Sequence, residues 1–317
     1  MTSERAIGVD VGGTTTKAAV VDVRGTILHR TQVPTDPTAG TKGIISVVEQ
    51  LLESHPADVG AVGVGAAGFV DAASGAVTFS PNLVYGDPRI SEALRTRVGV
   101  PVTVDNDANA AVWGERCFGS AMGSDHVAML TLGTGIGSGF VVDGRLLHGV
   151  GGAAAEFGHV VVDPHGPSCP CGLRGCLEQF ASGGAIARAA RAALDRDADS
   201  TILAFSGTRD AITGEHVARA AREMDETARR IMREAGVALG IGLANIVNVF
   251  DPEVIVLGGS VIAAGEPFLG PARDTLSAML DAQRRRPQRL DVGRLGNDAG
   301  MIGAAALALG ARVGTRG

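Results

Sequence analysis

The sequence predicts an α/β protein built from two related domains, on three observations. Apolar strand-like runs alternate with helical stretches along most of the chain. A strand–turn–strand unit near the start recurs 121 positions later, so that Gly12 falls on Gly133. At 317 residues the chain is too long for one ordinary core and comfortable for two.

Residues 6–11 (AIGVDV) and 17–23 (KAAVVDV) read as strands around a Gly-Gly-Thr turn, and a short strand follows over 26–33. The spacing over 44–54 (IISVVEQLLES) predicts a helix, 59–66 (VGAVGVGA) a buried strand, and 69–79 a hairpin turning at Ser74-Gly75. A helix over 90–99 ends in Gly, and a strand follows over 101–107. The second hairpin begins near 127 (VAMLTLGTGIGSGFVVDGR), where the shift also sets Val9 on Leu130, Asp22 on Asp143 and Arg24 on Arg145. Turn chemistry repeats along with hydrophobicity, so the two units read as a duplication whose domains face each other across a cleft. Beyond them the chain is more helical, over 182–194 and over 225–250 with Asp225 as cap. A strand over 252–260 runs into a Gly-Gly turn, and a small-residue helix follows over 299–309. The expected boundaries are a small domain over 1–112 and a larger one over 113–299 that carries a cysteine-rich loop. A last helix, about 300–317, packs back on the first domain.

Apolar residues make up 45% of the chain and charged residues 20%, an ordinary globular balance. The 46 glycines imply many tight turns and close backbone approaches, the usual equipment for holding phosphates. A net charge of −6 without an uncompensated basic cluster argues against nucleic acid. The run Arg284-Arg285-Arg286 precedes Pro287 at a predicted helix end and reads as solvated surface. No basic-then-apolar leader and no long uncharged apolar stretch is present, so the expectation is a soluble cytoplasmic protein without a membrane partner. In a reducing compartment, clustered cysteines favour a metal over disulfides.

Three Gly-rich turns follow strands. Asp10-Val11-Gly12-Gly13-Thr14 sets a carboxylate at a strand end, where Asp10 can orient Mg²⁺ and its waters, and glycines whose N–H groups can approach phosphate oxygens. Gly133-Thr134-Gly135 offers a second cradle, and Gly258-Gly259 a third close approach suited to an adenosine. Any one alone is more often just a turn; all three in order point to a nucleotide site. No GxxxxGK[ST] is present. Gly63-Val64-Gly65-Ala66-Ala67-Gly68 matches GxGxxG, but a hairpin rather than a helix is predicted after it, which removes the pyrophosphate site of a dinucleotide fold.

Asp105-Asn106-Asp107-Ala108-Asn109 ends an apolar strand in four polar residues out of five. A carboxylate at such a strand end often faces the ligand crevice of an α/β domain. In phosphoryl transfer it can take the proton of the acceptor hydroxyl; Asp107 is the choice for that base, with Asn106 on a neighbouring hydroxyl. The bland alternative is a turn or helix cap. Glu156 and His159 stand three apart, and Glu178 follows Cys176 by two, so two carboxylates and an imidazole flank Cys169-Pro170-Cys171-Gly172-Leu173-Arg174-Gly175-Cys176. Together they could bind adjacent sugar hydroxyls, although each alone is more often an exposed acid or a satisfied histidine.

These residues resemble the ROK sugar kinases, members of the actin/hexokinase (ribonuclease H-like) ATPase superfamily. The motifs DVGGTTTK, NDANAA, LGTGIG, EFGH and CPCGLRGCLEQFASG stand in family order from Asp10 to about Gly303. Through GAAGFVD and VDNDANAAVWGE the closest look is to actinobacterial glucokinases. The resemblance implies a two-domain actin/hexokinase-like fold and ATP-dependent phosphorylation of glucose at its 6-hydroxyl, with Mg²⁺ accompanying ATP and Asp107 as general base. It implies that Asn82, Asn106, Glu156, His159 and Glu178 hold the hexose with Gly68 near it. Gly12, Gly13, Thr14, Thr134 and Gly135 would cradle the phosphates, with Gly258 and Gly259 near the nucleotide. It implies a structural zinc on His159, Cys169, Cys171 and Cys176, and a homodimer or higher homo-oligomer. Cys₃His is also, on chemical grounds, a closed set suited to structural zinc, and a Cys-x-Cys pair is poorly placed for a mutual disulfide. Cys117 reads as a core cysteine. Three departures stand out: Ala67 where many relatives carry Pro, a change associated with glucokinases; Asp105 where a Glu is common; and Lys17 two positions later than in some members, so it is given no catalytic role.

The nearest rival is a ROK kinase for fructose, mannose or N-acetylmannosamine. Polyphosphate as donor is disfavoured because the cysteine cluster is retained. A non-catalytic sugar-sensing regulator would need an N-terminal DNA-binding segment, and only nine residues precede Asp10.

Overall fold

The computed structural model describes residues 4–55, 59–80, 83–195 and 200–310. These fall into two compact units. The first comprises residues up to 129, 139–155 and the segment from 293 onward; the second comprises 130–138 and 156–292.

The first unit opens on an antiparallel meander of β1 (Arg5–Val11), β2 (Thr15–Asp22) and β3 (Ile27–Pro34). Helix α1 (Gly40–Ser54) leads to β4 (Ala61–Ala66), the hairpin β5 (Phe69–Asp71) and β6 (Ala76–Phe79), α2 (Ile90–Val98), β7 (Val102–Asn106) and α3 (Asp107–Phe118). The sheet order is β3-β2-β1-β4-β7, with β4 parallel to both β1 and β7. The period-two alternation of β1 sorts its residues by size. Ile7, Val9 and Val11 join Val62, Val64 and Val104 in a core closed by Ile44, Val48 and Leu51 of α1 and Ile90 and Leu94 of α2. Each such fully buried aliphatic contributes about 1.5–3 kcal/mol. Ala6 and Gly8 face the other way, where α10 (Ala299–Ala308) packs through Met301 and Ala305. A Cβ on Gly8 would lie 1.8 Å from the Met301 carbonyl oxygen, and one on Gly63 1.8 Å from that of Ala304. Glycine at both positions is therefore what lets a helix backbone lie on this face.

Strands β8 (Val127–Leu132) and β9 (Ile136–Val142) carry the chain from one unit to the other and back, and β10 (Arg145–Leu146) completes their hairpin. The second unit continues through α4 (Glu178–Ala181), α5 (Gly183–Ala193), α6 (Ile202–Ser206), α7 (Gly214–Arg222), α8 (Glu226–Phe250), β11 (Val254–Gly258), α9 (Glu266–Ala282) and β12 (Leu290–Val292). The second sheet has the order β10-β9-β8-β11-β12, the same plan as the first: a three-strand meander followed by two later strands. The repeat seen in the sequence is thus repeated as topology. Its second turn differs in detail. Asp22 Oδ1 accepts the Arg24 and Thr26 N–H groups, whereas Asp143 and Gly144 both adopt positive φ in a two-residue hairpin.

Asp225 caps α8 as expected, accepting the Ala228 N–H at 2.8 Å. Gly236 and Gly240 let α9 approach α8; a Cβ on Gly236 would stand 2.4 Å from the Phe268 carbonyl oxygen. The arginine run has a more specific role than solvated surface. Arg286 reaches Asp251 and the Pro252 carbonyl at 3.0 and 2.9 Å, at the C-terminal end of α8 where cations are favoured. Residues 311–317 of the expected last helix lie outside the described residues.

Candidate active site

In the first unit, the end of β7 and the start of α3 form one hydrogen-bonded knot. Asn106 is the N-cap: its Oδ1 accepts the N–H groups of Ala108 and Asn109 at 2.8 and 3.1 Å. Its Nδ2 donates to the Gly68 carbonyl at 3.1 Å, which joins this end to the β4–β5 turn. Asp107 is the first residue of α3, where a negative charge is favoured by the helix dipole, and it accepts the Ala108 N–H at 2.9 Å. The cap and the candidate base are therefore neighbouring residues. Gly68 has φ +129°, and a Cβ there would meet the Phe79 carbonyl oxygen at 2.3 Å. Tyr85 donates to the Ala67 carbonyl at 3.0 Å; burial, then the nearby Asp107 charge, pushes its phenol pKa up. Asn82 lies outside the described residues.

The Asp10 turn lies in the same unit. Gly12 N–H bonds the Thr15 carbonyl at 3.1 Å, and Thr35 Oγ1 donates to the Gly12 carbonyl at 2.7 Å. Burial pushes the Asp10 carboxyl pKa up, and Lys17, its register partner on β2, pulls it partly back. A Cβ on Gly300 of α10 would fall 2.7–3.0 Å from that carboxyl group. At Gly13 an added Cβ would meet no atom within 4 Å, and its φ is not positive. Neither packing nor backbone geometry asks for glycine there, and the turn is open on that side.

In the second unit Gly133 shares both properties of Gly13. Its carbonyl accepts the Gly183 N–H at 2.7 Å, and the Thr134 carbonyl accepts that of Gly184 at 3.1 Å, so the N-terminus of α5 holds this turn. Gly259 has φ +92°, and a Cβ on it would lie 2.3 Å from the Leu132 carbonyl oxygen, which brings the Gly258-Gly259 turn against the end of β8 that leads into the 133–135 turn. Glu178 Oε2 accepts the Ile136 N–H at 2.9 Å. Glu156 is exposed at its surface, yet burial of its carboxyl is the first cause raising its pKa; His159 opposes the rise and Glu178 adds to it. Glu156, His159 and Glu178 therefore share one electrostatic neighbourhood.

The cysteine loop is folded on itself by backbone bonds. Leu177 N–H reaches the Val160 carbonyl at 2.9 Å, and Cys169 N–H that of Leu173 at 2.8 Å. A Cβ on Gly175 would sit 1.5 Å from the Asp163 carbonyl oxygen, so this crossing admits only glycine. The ligand atoms of His159, Cys169, Cys171 and Cys176 lie within 4.8 Å of one another. Cys171 and Cys176 sulfurs are 3.6 Å apart, and Cys169 Sγ is 3.5 Å from His159 Nδ1. Tetrahedral zinc with Zn–S about 2.3 Å and Zn–N about 2.0 Å has edges of about 3.8 and 3.5 Å. The donor set and its spacing fit that ion. Burial pushes the Cys176 thiol up to about 12, so a bound cation is what would hold it as a thiolate at neutral pH. Cys117 is buried with its thiol pushed up to about 11, a core cysteine.

The site residues are thus assembled in two sets: Gly68, Asn106 and Asp107 together, with Asp10 to Thr14, in the first unit; Glu156, His159, Glu178, the cysteines and the 133–135 and 258–259 turns in the second. Tyr85, Gln179 and His148 escaped the sequence reading. Gln179 Nε2 donates to Cys169 Sγ at 3.5 Å, and His148 Nε2 to Asp105 at 2.7 Å. Tyr85 stands apart from every motif, and His148 is separated from its partner by 43 residues.

Residues 6–311 match the profile of the ROK family. The chain belongs to the ROK family. It is 42% identical over 308 residues to a glucokinase of Streptomyces coelicolor, covering 95% of this chain and 96% of that one. A Thermotoga maritima glucokinase is 38% identical over 306 residues, with 96% of each covered. Among solved structures, the ROK glucokinase of Streptomyces griseus in complex with glucose and AMPPNP superposes with a TM-score of 0.85 at 42% identity, covering 96% of this chain and 99% of that one. The fold is the two-domain actin/hexokinase-like fold of this ROK kinase group. Among the described residues no helix is long and apolar enough to cross a membrane.

Proposed function

We infer that this ROK protein phosphorylates glucose at its 6-hydroxyl with ATP. The observation that carries the assignment is similarity over nearly the full length to glucokinases, in a chain that keeps the acid, phosphate and sugar motifs.

Asp107 accepts the proton of the 6-hydroxyl, and the freed oxygen attacks the γ-phosphorus of ATP as its bond to the β,γ-bridging oxygen breaks and ADP leaves. Asn106 orients a neighbouring hydroxyl while its own oxygen caps α3. Glu156, His159 and Glu178 hold the remaining hydroxyls, with Gly68 and Asn82 beside the sugar. The Gly12-Gly13-Thr14 and Thr134-Gly135 turns cradle the phosphates, and Gly258-Gly259 lies along the nucleoside. Asp10 would orient the Mg²⁺ that accompanies ATP, an ion that would supply charge neutralisation at the transferring group. His159, Cys169, Cys171 and Cys176 would hold a structural zinc, a closed set that would act as scaffold by fixing the backbone next to Glu178 and three residues after Glu156.

Replacing Asp107 by Asn tests the assignment. The variant is expected to fold and bind glucose in calorimetry while turnover in a coupled ADP assay falls by roughly 10²–10⁴-fold. Near-normal turnover would overturn the role of Asp107. A hexose panel in the same assay should place glucose first.

A further inference from the structure

We propose that His148 is a positioning residue for the transfer reaction, clamping the root of the 149–155 loop to the end of β7 through Asp105; this rests on the roles of Asp107 and Glu156 given above. Asp105 is buried, and a buried carboxylate is tolerated only when its oxygens are filled. Its Oδ1 accepts the Asn106 N–H at 2.8 Å and Asn109 Nδ2 at 2.9 Å. Its Oδ2 is served by His148 at 2.7 Å. A carboxylate can only accept, so His148 Nε2 carries the hydrogen.

The chain after His148 is held in a demanding conformation. Gly149 and Gly152 both have φ +72°, and a Cβ on Gly152 would lie 1.8 Å from the Val70 carbonyl oxygen. Ala154 N–H returns to the His148 carbonyl at 3.2 Å. Ala155 is left-handed at φ 69° without being glycine, and the next residue is Glu156. Residues in that region persist only where their surroundings over-determine them, and they cluster at working sites. One carboxylate thus holds the Asn106 backbone just before Asp107 and the Asn109 side chain two residues after it, and anchors the root of the loop that leads to Glu156. A histidine serving only to satisfy a buried acid would need no such loop on its far side.

The test compares His148→Leu with His148→Gln, whose amide nitrogen can reach the same carboxylate. His148 is partly exposed, but His148→Leu leaves the buried Asp105 Oδ2 unfilled and should lower the melting temperature, so both variants are compared well below their melting temperatures. His148→Leu is expected to lose about tenfold or more in kcat/KM for glucose, with KM for ATP within about twofold of the unaltered chain. Amides of the 147–155 segment should exchange faster with deuterium. His148→Gln should recover most of both. Unchanged glucose kinetics and loop protection in His148→Leu would overturn the proposal, as would a His148→Gln variant no better than His148→Leu. An unaltered chain that fails to phosphorylate glucose would instead sink the functional reading, and the exchange contrast alone would then decide for or against the clamp.

Discussion

The carboxylate of Glu178 fills the space that a side chain on Gly135 would occupy: a Cβ there would lie 2.5 Å from Oε2, which is itself tied to the Ile136 N–H. The acid proposed to hold the sugar and the turn proposed to cradle phosphate are thus mutually fitted. Gly135→Ala should swing Glu178 off the Ile136 N–H and weaken glucose binding about tenfold, or about 1.4 kcal/mol. Calorimetry with glucose would measure this, and metal content should stay unchanged.

Two glycines on α10 should fail in different ways. At Gly303 a Cβ would press the Ala110 carbonyl oxygen at 1.7 Å, backbone against backbone, so Gly303→Ala should cost about 1–3 kcal/mol of stability or more. At Gly300 the obstacle is the Asp10 carboxyl at 2.7–3.0 Å. Gly300→Ala should displace that side chain and lower kcat with ATP while the melting temperature changes less than in Gly303→Ala. Thermal melts beside ATP kinetics separate the two.

Metal removal should act on one side of the chemistry. With zinc as scaffold, the purified chain should carry about one zinc, and Cys171→Ser should reduce that occupancy. Chelation should lower stability and glucose affinity before it affects nucleotide binding. Equal loss of both affinities, read by calorimetry, would refute the scaffold role.

The Asp105–His148 pair also predicts a pH dependence of stability. The hydrogen bond from Asp105 raises the His148 pKa above its ordinary 6.5, and burial offsets part of the rise. A group with a raised folded pKa contributes stability that is complete below the unfolded value and is lost as pH climbs through the folded one. The charged group facing His148 is Asp105. The gap in melting temperature between the unaltered chain and His148→Gln should therefore be wider near about pH 6 than near about pH 9. A constant gap across that range would contradict it.

Much of this was legible in the chain. The repeat shift of 121 maps β1 and β2 on β8 and β9 because turn residues and apolar spacing recur together. The Gly63–Gly68 motif leads into β5 and no helix, as its polar hairpin-like continuation implies. The end of β7 was less readable. Asp107 looked like the last residue of a strand, whereas Asn106 caps and α3 starts at Asp107, because two polar residues in succession serve strand end and helix cap alike. Helices α7 and α9 went unread although both bury one face, Val217, Ala218 and Ala221 in α7 and Phe268, Leu269, Ala272, Leu276 and Leu280 in α9. His148 was invisible for another reason: its partner is 43 residues away, and only folding brings the pair together.

Helix α10 belongs to the first unit but follows the whole of the second along the chain. A ribosome therefore releases the material for the second unit before it has made the element that seals the first. Until then the face of β1 and β4 carrying Ala6, Gly8, Ala61 and Gly63 stays uncovered, and Asp10 lacks the helix end beside it. A chain stopped short by a premature termination codon would present an unfinished sheet to chaperones and proteases, with the Asp10 carboxyl lacking its Gly300 neighbour.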